Sequence, residues 1–331
     1  MKKILVTGGA GYIGSHTIVE LSANNFEPII VDNLCNTSIK NVKGIEKIIG
    51  QNITFYNVDC TNEEALNYVF EKEKNIESAI HFAAFKSVEE SIREPEKYYS
   101  NNIGSLKVLL KLMKKYNVSN IIFSSSCTVY GSPEKLPISE KTPFKKAESP
   151  YAETKQFCEE LLNKTDINSI SLRYFNPIGC HESGLIGEYS KDKANNLVPI
   201  ITETAIGKRE QITVYGDDYN TIDGTCLRDY IHVVDLANAH VKALKYIIKN
   251  KGCSAFNIGT GNGVSVLEAI HIFERANNLK VKYKIGPRRA GDIAKIYSDN
   301  TLSTKKLKWR AKKTLKNAMK SAWKWQQLKN V

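Results

Sequence analysis

A tyrosine and a lysine four positions apart, Tyr151 and Lys155, have the types and spacing that most directly suggest chemistry in this sequence. Ser149 and Pro150 stand just before them and are typical of a helix start, with serine as the cap and proline in the first turn. Residues four apart lie on one helical face, so the ammonium would lower the pKa of the phenol from its usual value of about 10. The pair therefore predicts a base that removes a hydroxyl proton while hydride leaves the same carbon.

Three serines, residues 124–126, follow an apolar run that predicts a strand. Side chains at the carboxyl end of a parallel strand face the cleft in which ligands bind. Ser126 could hydrogen-bond the reacting oxygen and share its proton with Tyr151. Taken alone, a tyrosine and a lysine at this spacing usually form an exposed helical pair. Their position after a nucleotide-binding pattern makes them catalytic candidates.

That nucleotide-binding pattern consists of Gly8, Gly11 and Gly14, which lie between a predicted buried strand and a predicted helix. Glycines let the turn tighten and the backbone approach a pyrophosphate, which then meets the helix N-terminus. By themselves they could equally form a simple tight turn. Asp32 ends the next predicted strand, where an acid binds adenosine ribose hydroxyls and repels a 2′-phosphate, so NAD is favoured over NADP. Asp59 could contact the adenine edge or cap the following helix.

The elements that must position these residues alternate along the first half of the chain. Strands are predicted over 3–7, 28–32, 54–59, 78–83 and 120–124, and helices over 14–24, 62–73 and 96–116. This alternation predicts an α/β fold, a Rossmann-type doubly wound parallel sheet, followed by a smaller mixed α/β substrate domain. We predict an NAD-binding domain over 1–176 and a substrate domain over 177–331, with some segments returning to the first domain.

Composition limits the classes of partner. Lys and Arg number 47 against 35 acids, a net charge of +12, which favours anionic partners such as nucleotides. The seven cysteines contain no CxxC pair and the six histidines no ligand spacing, so we expect reduced thiols and no metal. The chain contains no leader pattern and no run approaching the roughly 18 apolar residues of a membrane helix. We therefore expect a cytoplasmic protein without a membrane partner.

Residues 305–329 form a basic segment with ten Lys or Arg residues and no acid. Such a segment could contact nucleic acid or a membrane surface. However, Leu315, Met319, Ala322 and Trp325 fall near one helical stripe, which favours a core-facing helix with a solvated basic side. We therefore expect no specific nucleic-acid partner.

With these residues assembled, the chain resembles the extended short-chain dehydrogenase/reductase superfamily, and within it the NAD-dependent epimerase family. The resemblance runs from Lys3 to about Trp325. It is carried, in order, by the segments LVTGGAGYIGSHT, VDNLCN, IHFAAFKSV, YYSNNIGS, FSSSCTVYG, SPYAETK, LRYFNPIG, NNLVP, GTCLRDYIHVVDLA, FNIGTG and PRRAGD.

The resemblance implies that Tyr151 is the base, Ser126 its hydroxyl partner and Lys155 the residue that holds the nicotinamide ribose. It implies an NAD site formed by Gly8, Gly11, Tyr12, Ile13, Gly14, Asp32, Asn33, Asn36, Asp59, Cys60, Phe82, Lys86, Asn101, Ser126, Tyr151, Lys155 and Phe175. The implied substrate contacts are Lys86, Ser126, Tyr151, Asn176, Asn196, Leu197, Tyr215, Arg228, Arg289 and Asp292. The two arginines among them suit a diphosphate, because guanidinium forks bind it with two hydrogen bonds.

The implied reaction is the NAD-dependent 4-epimerisation of a UDP-hexose, which interconverts UDP-galactose and UDP-glucose. Tyr151 would accept the C4 hydroxyl proton while NAD takes the C4 hydride, and the 4-keto sugar would rotate before the hydride returns to its other face. The resemblance also implies a homodimer, with helices near 98–116 and 151–163 as candidates for the contact.

Other readings remain open. Sugar-nucleotide dehydratases and decarboxylases share the cofactor domain, but they carry carboxyl groups just after the strand-end hydroxyl, where this chain has Cys127 and Thr128. A non-catalytic NAD-binding module is the alternative from another class, and it would be expected to lose Tyr151 or Lys155. Ile296 stands where family members carry either tyrosine or a small residue beside the C2 substituent of the sugar. Its intermediate size leaves acceptance of UDP-GlcNAc open.

Overall fold

The computed structural model describes residues 1–189, 194–289 and 292–329. Its strands are β1 (Lys2–Thr7), β2 (Phe26–Val31), β3 (Thr54–Tyr56), β4 (Ile76–His81), β5 (Asn120–Ser126), β6 (Asn168–Tyr174), β7 (Asn176–Ile178), β8 (Ile212–Tyr215), β9 (Leu227–Arg228), β10 (Tyr230–His232), β11 (Cys253–Ile258), β12 (Val264–Ser265), β13 (Tyr283–Gly286) and β14 (Lys295–Ile296). Its helices are α1 (Tyr12–Ala23), α2 (Ile39–Ile49), α3 (Glu63–Lys72), α4 (Val88–Arg93), α5 (Pro95–Tyr98), α6 (Gly104–Lys115), α7 (Pro150–Asn163), α8 (Leu197–Ala205), α9 (Val233–Ile247), α10 (Val266–Asn277), α11 (Thr301–Leu307) and α12 (Leu315–Leu328).

Seven of these strands form one parallel sheet, in the order β11-β6-β5-β4-β1-β2-β3. The chain starts at β1, moves outward through β2 and β3, and then returns to β4 on the other side of β1. The loops after β1 and β4 therefore diverge, which opens a cleft above the carboxyl ends of the strands. This sheet confirms the predicted doubly wound α/β fold.

The two faces of the sheet bury different residues because side chains alternate along a strand. In β1, the fully buried Ile4 and Val6 belong to a cluster with residues of α1 and α9. Leu5, between them, belongs to a second cluster with residues of α3 and α6. Full burial of such a side chain contributes about 1.5–3 kcal/mol. Because both faces are covered, β1 and β2 contain continuous apolar runs rather than alternating patterns.

The chain beyond residue 176 builds three small sheets and also returns to the large one. β7 pairs with β10, β8 with β13, and β9 with both β12 and β14. α8, α10 and α12 supply residues to the core beside these sheets. In contrast, α9 packs on α1 and β11 pairs with β6. One edge strand of the large sheet thus comes from beyond the predicted domain boundary, which itself remains a prediction.

The helical stretch predicted over 96–116 is confirmed, but it is not a regular α-helix throughout. α5 ends at Tyr98 and α6 begins at Gly104, and a π-helical turn spans Tyr99–Ile103 between them. Within that turn, the Asn102 side chain accepts a hydrogen bond from the Phe85 nitrogen (2.8 Å) and donates to the Phe85 oxygen (3.1 Å). The wider turn accommodates Asn102, whose buried amide satisfies the backbone after β4.

The basic C-terminal segment folds with its apolar side inward, as its stripe of residues predicts. In α12, Met319, Ala322 and Trp325 are buried and Leu315 is partly buried, while Lys320 is exposed. None of the helices in the described part of the chain has both the length and the apolar character needed to cross a membrane. Groups of three His, Cys, Asp or Glu residues able to hold a metal ion occur nowhere in the described ranges.

Four buried histidines predict that the fold is sensitive to acid. Burial lowers the pKa of His16, His81 and His232 to about 3, and that of His240 to about 4, because the imidazolium loses its hydration. The same rings titrate near 6.5 in the unfolded chain, so below that pH the unfolded state binds protons that the folded state excludes. Their contribution to stability is complete above about pH 6.5 and is lost towards pH 4, at about 1.4 kcal/mol per pH unit for each histidine.

Urea denaturation between about pH 7.5 and pH 4.5 measures this slope. His81→Asn is an informative variant because its amide can keep the 2.7 Å contact that His81 Nδ1 makes with Thr7 Oγ1, but it does not titrate. We expect the slope of unfolding free energy against pH to decrease by about one proton in this variant. An unchanged slope would show that His81 does not take part in the acid response.

Candidate active site

A cleft of about 590 Å³ lies at the carboxyl ends of the central strands. It is lined by the loops that follow β1, β2, β3 and β4, which meet there because parallel strands end at the same edge of a sheet. Nine of the predicted cofactor residues line it: Gly8, Gly11, Asp32, Asn33, Asn36, Asp59, Cys60, Phe82 and Asn101. The topology therefore collects segments that are as much as ninety residues apart in the sequence into one site.

The glycine turn is packed too tightly for side chains. Gly8 has a φ of +69°, and a Cβ atom there would lie 2.6 Å from the Ala83 nitrogen. A Cβ atom on Gly14 would lie 2.3 Å from the Gly8 oxygen. Helix α1 therefore begins directly on the turn, and Gly11 provides no side-chain cap. The first N–H groups of α1, including those of Tyr12 and Ile13, lack helical partners and suit an anion.

Asp32 is held at the edge of the cleft by backbone groups. Its Oδ2 accepts a hydrogen bond from the Ala10 nitrogen (3.1 Å), and its Oδ1 accepts one from the Leu34 nitrogen (2.9 Å). Burial raises the pKa of Asp32 above its usual value, while these bonds oppose the rise. A carboxyl group fixed in this way suits a ligand hydroxyl and disfavours a phosphate.

The structure distinguishes the two roles predicted for Asp59. Asn62, not Asp59, caps α3, since its side chain accepts a hydrogen bond from the Ala65 nitrogen at 3.0 Å. Asp59 lines the cleft and accepts hydrogen bonds from Asn33 Nδ2 (2.9 Å) and Thr61 Oγ1 (2.6 Å). The alternative of a helix cap at Asp59 is therefore wrong.

Helix α7 begins as the sequence predicts, with Ser149 accepting a hydrogen bond from the Ala152 nitrogen (3.2 Å) and Pro150 in the first turn. Tyr151 and Lys155 share one face, and Lys155 Nζ lies 5.9 Å from the centroid of the Tyr151 ring. Lys155 is buried, and its ammonium donates a hydrogen bond to the backbone carbonyl oxygen of Ser124 at 2.7 Å. The predicted base, lysine and serine strand thus meet at the carboxyl end of β5.

Burial dominates the protonation of both groups. It raises the pKa of Tyr151 to about 12, and a hydrogen bond with Ser126 opposes that rise. It lowers the pKa of Lys155 to about 8, which Cys158 and Glu159 oppose. The expected lowering of the phenol pKa by Lys155 is therefore outweighed by loss of water around the phenolate.

Two arginines on the opposite side of the site converge on one carboxylate. Asp292 Oδ1 lies 3.5 Å from Arg228 Nη2 and accepts a hydrogen bond from Arg289 Nη2 at 2.9 Å. The Arg289 guanidinium also lies 5.7 Å from the centroid of the Tyr215 ring. Four predicted substrate residues therefore form one cationic group: Arg228, Arg289, Asp292 and Tyr215. Two of them belong to the segment PRRAGD, whose residues 290 and 291 lie outside the described residues.

A second group of predicted residues joins the two halves of the molecule. Lys86, which follows β4, pairs with Glu188 Oε1 at 2.6 Å, and Asn196 Nδ2 donates to the same oxygen at 3.1 Å. Lys86 Nζ also lies 5.9 Å from the centroid of the Tyr12 ring, and Leu197 begins α8 directly after Asn196. This contact bridges the cofactor half and the substrate half.

Phe175 and Ile296 lie in a small buried cluster with Cys127, next to Ser126. Ile296 pairs in register with Arg228 through β14 and β9. Asn176 begins β7 directly after Phe175, and its backbone nitrogen donates to the Asp229 oxygen at 2.9 Å. Ile296 therefore lies beside Arg228 of the cationic group and beside Cys127, which directly follows Ser126 at the end of β5.

Several site residues have weaker signals in the sequence. Asp229 is fully buried and accepts hydrogen bonds from Thr260 and Ser298, which connects two loops of the substrate half. Glu159 is also buried, and its position four residues after Lys155 on the same helical face is a signal that identifies it. Further residues that line the cleft are Cys35, Thr37, Val58, Ala83, Ala84, Phe85 and Ser105.

Comparisons with known proteins agree with this geometry. The family model described as GDP-mannose 4,6 dehydratase matches residues 5–322. A UDP-glucose 4-epimerase of Dictyostelium discoideum is 49% identical over 98% of this chain and 96% of that protein. A UDP-glucose 4-epimerase of Bifidobacterium longum, solved in complex with NAD+ and UDP, has a TM-score of 0.94 and 45% identity over 98% of both chains. One from Stenotrophomonas maltophila, solved with NAD and formylated UDP-arabinopyranose, has a TM-score of 0.97 and 40% identity, covering 100% of this chain and 99% of that one.

Gly8→Ala is expected to destabilise the protein more than Gly50→Ala. The two glycines have nearly the same φ, +69° and +71°, so alanine brings a similar backbone cost of about 1–2 kcal/mol at both. A methyl group at Gly50 meets nothing within 4 Å, whereas at Gly8 it meets the backbone of Phe82 and Ala83. We expect this overpacking to remove about 1–3 kcal/mol more from the free energy of unfolding, measured in urea. Equal losses in the two variants would contradict the close approach.

Proposed function

As the chain belongs to the UDP-glucose 4-epimerase family of extended short-chain dehydrogenases/reductases, we propose that it interconverts UDP-galactose and UDP-glucose by inverting the C4 hydroxyl with NAD as a bound hydride carrier. The observation that carries this proposal is the meeting of Tyr151, Lys155 and Ser126 at the end of β5, beside the glycine-turn cleft. Proton removal at that point and a dinucleotide in that cleft are the two requirements of the reaction.

The residues of the cleft fit NAD. The first N–H groups of α1 suit the pyrophosphate, and the buried Asp32 suits the adenosine ribose hydroxyls rather than a 2′-phosphate. Asn33 and Asp59, which hydrogen-bond each other at the cleft, suit the adenine edge. Lys155 would hold the nicotinamide ribose. When bound, oxidised NAD supplies a hydride acceptor for the sugar C4 and a positive charge near the phenol.

The protein's own residues transfer the proton and position the sugar. Tyr151 takes the proton of the C4 hydroxyl, and the Ser126 hydroxyl holds the reacting oxygen and relays that proton. The ammonium of Lys155 favours the charged phenolate. Tyr151 then returns the proton to the inverted hydroxyl, so the site is restored after each turnover. Arg228 and Arg289 hold the diphosphate, so the sugar can rotate to present its other face while the nucleotide remains bound.

A dehydratase is the second candidate, because the matching family model is described as one. Elimination of water needs carboxyl groups directly after the strand-end hydroxyl, and this chain has Cys127 and Thr128 there. Burial raises the pKa of Cys127 to about 12, so its thiol stays protonated near neutral pH and cannot remove a proton. These residues favour epimerisation over elimination.

We also propose a homodimer formed through the outer faces of α6 and α7. Phe157 on α7 is 42% exposed, and Lys107 of α6 places its ammonium 5.6 Å from the centroid of that ring. An exposed phenylalanine on α7, next to α6, suits a contact with the same two helices of a second copy.

The free thiols bear on the location of the protein, and the basic C-terminal segment bears on its partners. All seven cysteines lie in the described residues as free thiols, which favours the reducing cytoplasm as the location we propose. Trp309 and Trp325 are buried, so they cannot stack on bases, and we propose a nucleotide sugar rather than nucleic acid as the partner.

Tyr151→Phe tests the reaction and its base together. The purified protein is given UDP-galactose, and UDP-glucose is followed through coupled UDP-glucose dehydrogenase. We expect the variant to lose about 100-fold or more in kcat because the phenolic proton acceptor is gone. Tyr68→Phe, which changes an exposed tyrosine on α3, serves as the control and should retain full activity. Full activity in Tyr151→Phe would reject this base, and inactivity of the unmodified protein with added NAD would direct the search to other nucleotide sugars.

We further propose that UDP-GlcNAc is a second substrate, because Ile296 is smaller than the tyrosine that many relatives carry. Ile296 is buried against Cys127 and Phe175, so a tyrosine there would extend towards the sugar. Ile296→Tyr is expected to reduce kcat/KM for UDP-GlcNAc more strongly than for UDP-galactose. Equal changes for the two substrates would remove Ile296 as the determinant of C2 specificity.

A further inference from the structure

A buried ion pair lies directly behind the catalytic residues. Arg173 Nε donates to Glu159 Oε1 at 2.9 Å, and Arg173 Nη2 donates to Glu159 Oε2 at 2.6 Å. Their side chains are only 8% and 4% exposed. Two parallel hydrogen bonds between a planar guanidinium and a carboxylate fix both the distance and the relative orientation of the two groups.

The pair adds a hydrogen-bonded link between α7 and β6, two elements that also pack against each other. Glu159 belongs to α7 and Arg173 to β6, and Ser125 of β5 donates to Glu159 Oε1 at 2.5 Å. Arg173 Nη1 also donates at 2.9 Å to the hydroxyl of Tyr130, in the turn that follows β5. Tyr130 in turn donates at 2.7 Å to Asn257 Oδ1 of β11. One network therefore joins three neighbouring strands to the catalytic helix.

Two members of the network are adjacent to catalytic residues. Glu159 lies one helical turn after Lys155 and two turns after Tyr151, on the same face of α7. Ser125 directly precedes Ser126 on β5. A shift of Glu159 would therefore move the helix that carries the base relative to the strand that carries its hydroxyl partner.

We propose that the Glu159–Arg173 pair is the positioning device of the catalytic centre, which holds α7 against the ends of β5 and β6 so that Tyr151 and Lys155 face Ser126. The proposal rests on the proposed function. A buried ion pair is a poor source of stability, because desolvation offsets much of its attraction. The pair instead fixes the orientation of α7 on the sheet, which apolar packing alone does not do. Orientation matters because displacement of a reacting group by about 1 Å can reduce turnover about 100-fold.

The carboxylate of Glu159 also acts on the charge of Lys155. The groups that face Lys155 are Tyr151, Cys158 and Glu159 from α7 and His81 from β4. Burial disfavours the protonated lysine, while Cys158 and the Glu159 carboxylate favour it. Removing that negative charge lowers the pKa of Lys155, so activity that requires the ammonium is lost at lower pH on the alkaline side. General loosening of the fold would instead let water reach Lys155, which raises its pKa and moves this limb to higher pH.

Glu159→Gln, Glu159→Asp and the control Glu203→Gln test the proposal. Glu203 on α8 pairs at 2.5 Å with Arg209, which follows that helix, so the variant removes an ion pair that touches neither α7 nor β5. In folded Glu159→Gln we expect kcat to fall about 100-fold, with KM for UDP-galactose changed little and the alkaline limb moved to lower pH. Glu159→Asp should keep the limb, because the charge remains, but should still lose kcat because the shorter side chain cannot reach Arg173 in the same way. Glu203→Gln should match the unmodified enzyme.

Unchanged kcat and an unchanged limb in folded Glu159→Gln would overturn the proposal. If that variant does not fold, Glu159→Asp decides, and full kcat there overturns it. Turnover of the unmodified protein is measured first, because its absence is a failure of the proposed function alone. In that case the titration of Lys155, followed through its ¹³Cε chemical shift, decides instead. A lower pKa in Glu159→Gln together with an unchanged one in Glu159→Asp supports the pair, and an unchanged value in Glu159→Gln overturns it.

Discussion

Helix α1 rests on the turn after β1 at a distance that only glycine permits, and the rest of the cofactor half depends on that approach. A Cβ atom on Gly14 would come within 2.3 Å of the Gly8 oxygen, so any other residue would force the helix away from the turn. The N-terminus of α1 therefore lies at the carboxyl edge of the strands, where Asp32 directly follows β2. The same placement lets α1 pack on α9, which closes one face of the sheet. Cofactor binding and core packing thus share one geometric condition.

Burial sets the chemical character of the catalytic pair. The pKa of Tyr151 rises to about 12 and that of Lys155 falls to about 8, so the loss of water drives both groups towards their neutral forms. Positive charge beside the phenol opposes this effect of burial, and the Lys155 side chain lies on the same face of α7 as Tyr151. Other charged groups near the site are paired, Glu159 with Arg173 and Asp292 with two arginines. The balance between burial and nearby charge therefore decides the protonation of the catalytic pair.

Local signals in the sequence predicted local structure, and the structure departs from prediction where distant segments compete. The cap at Ser149, the spacing of Tyr151 and Lys155, and the glycine turn each follow from a few adjacent residues. The π-helical turn does not, because Asn102 is drawn towards the backbone of Phe85. The pairs Glu159–Arg173 and Lys86–Glu188 depend on the order of the strands and on how the two halves close, which no local pattern encodes. The direction of the Tyr151 pKa required knowledge of its burial, which spacing alone does not provide.

The pairing of β11 with β6 has a consequence for how the chain is made. The large sheet is incomplete until residues 253–258 have joined it, although its other six strands lie within the first 174 residues. During translation, about eighty more residues must therefore be synthesised and leave the ribosome tunnel before β11 can pair with β6. Until then β6 has an open edge, and the face of α1 that α9 later covers is exposed. Over that interval the unpaired edge of β6 can pair with strands of other chains, so the late arrival of β11 makes the nascent protein prone to association.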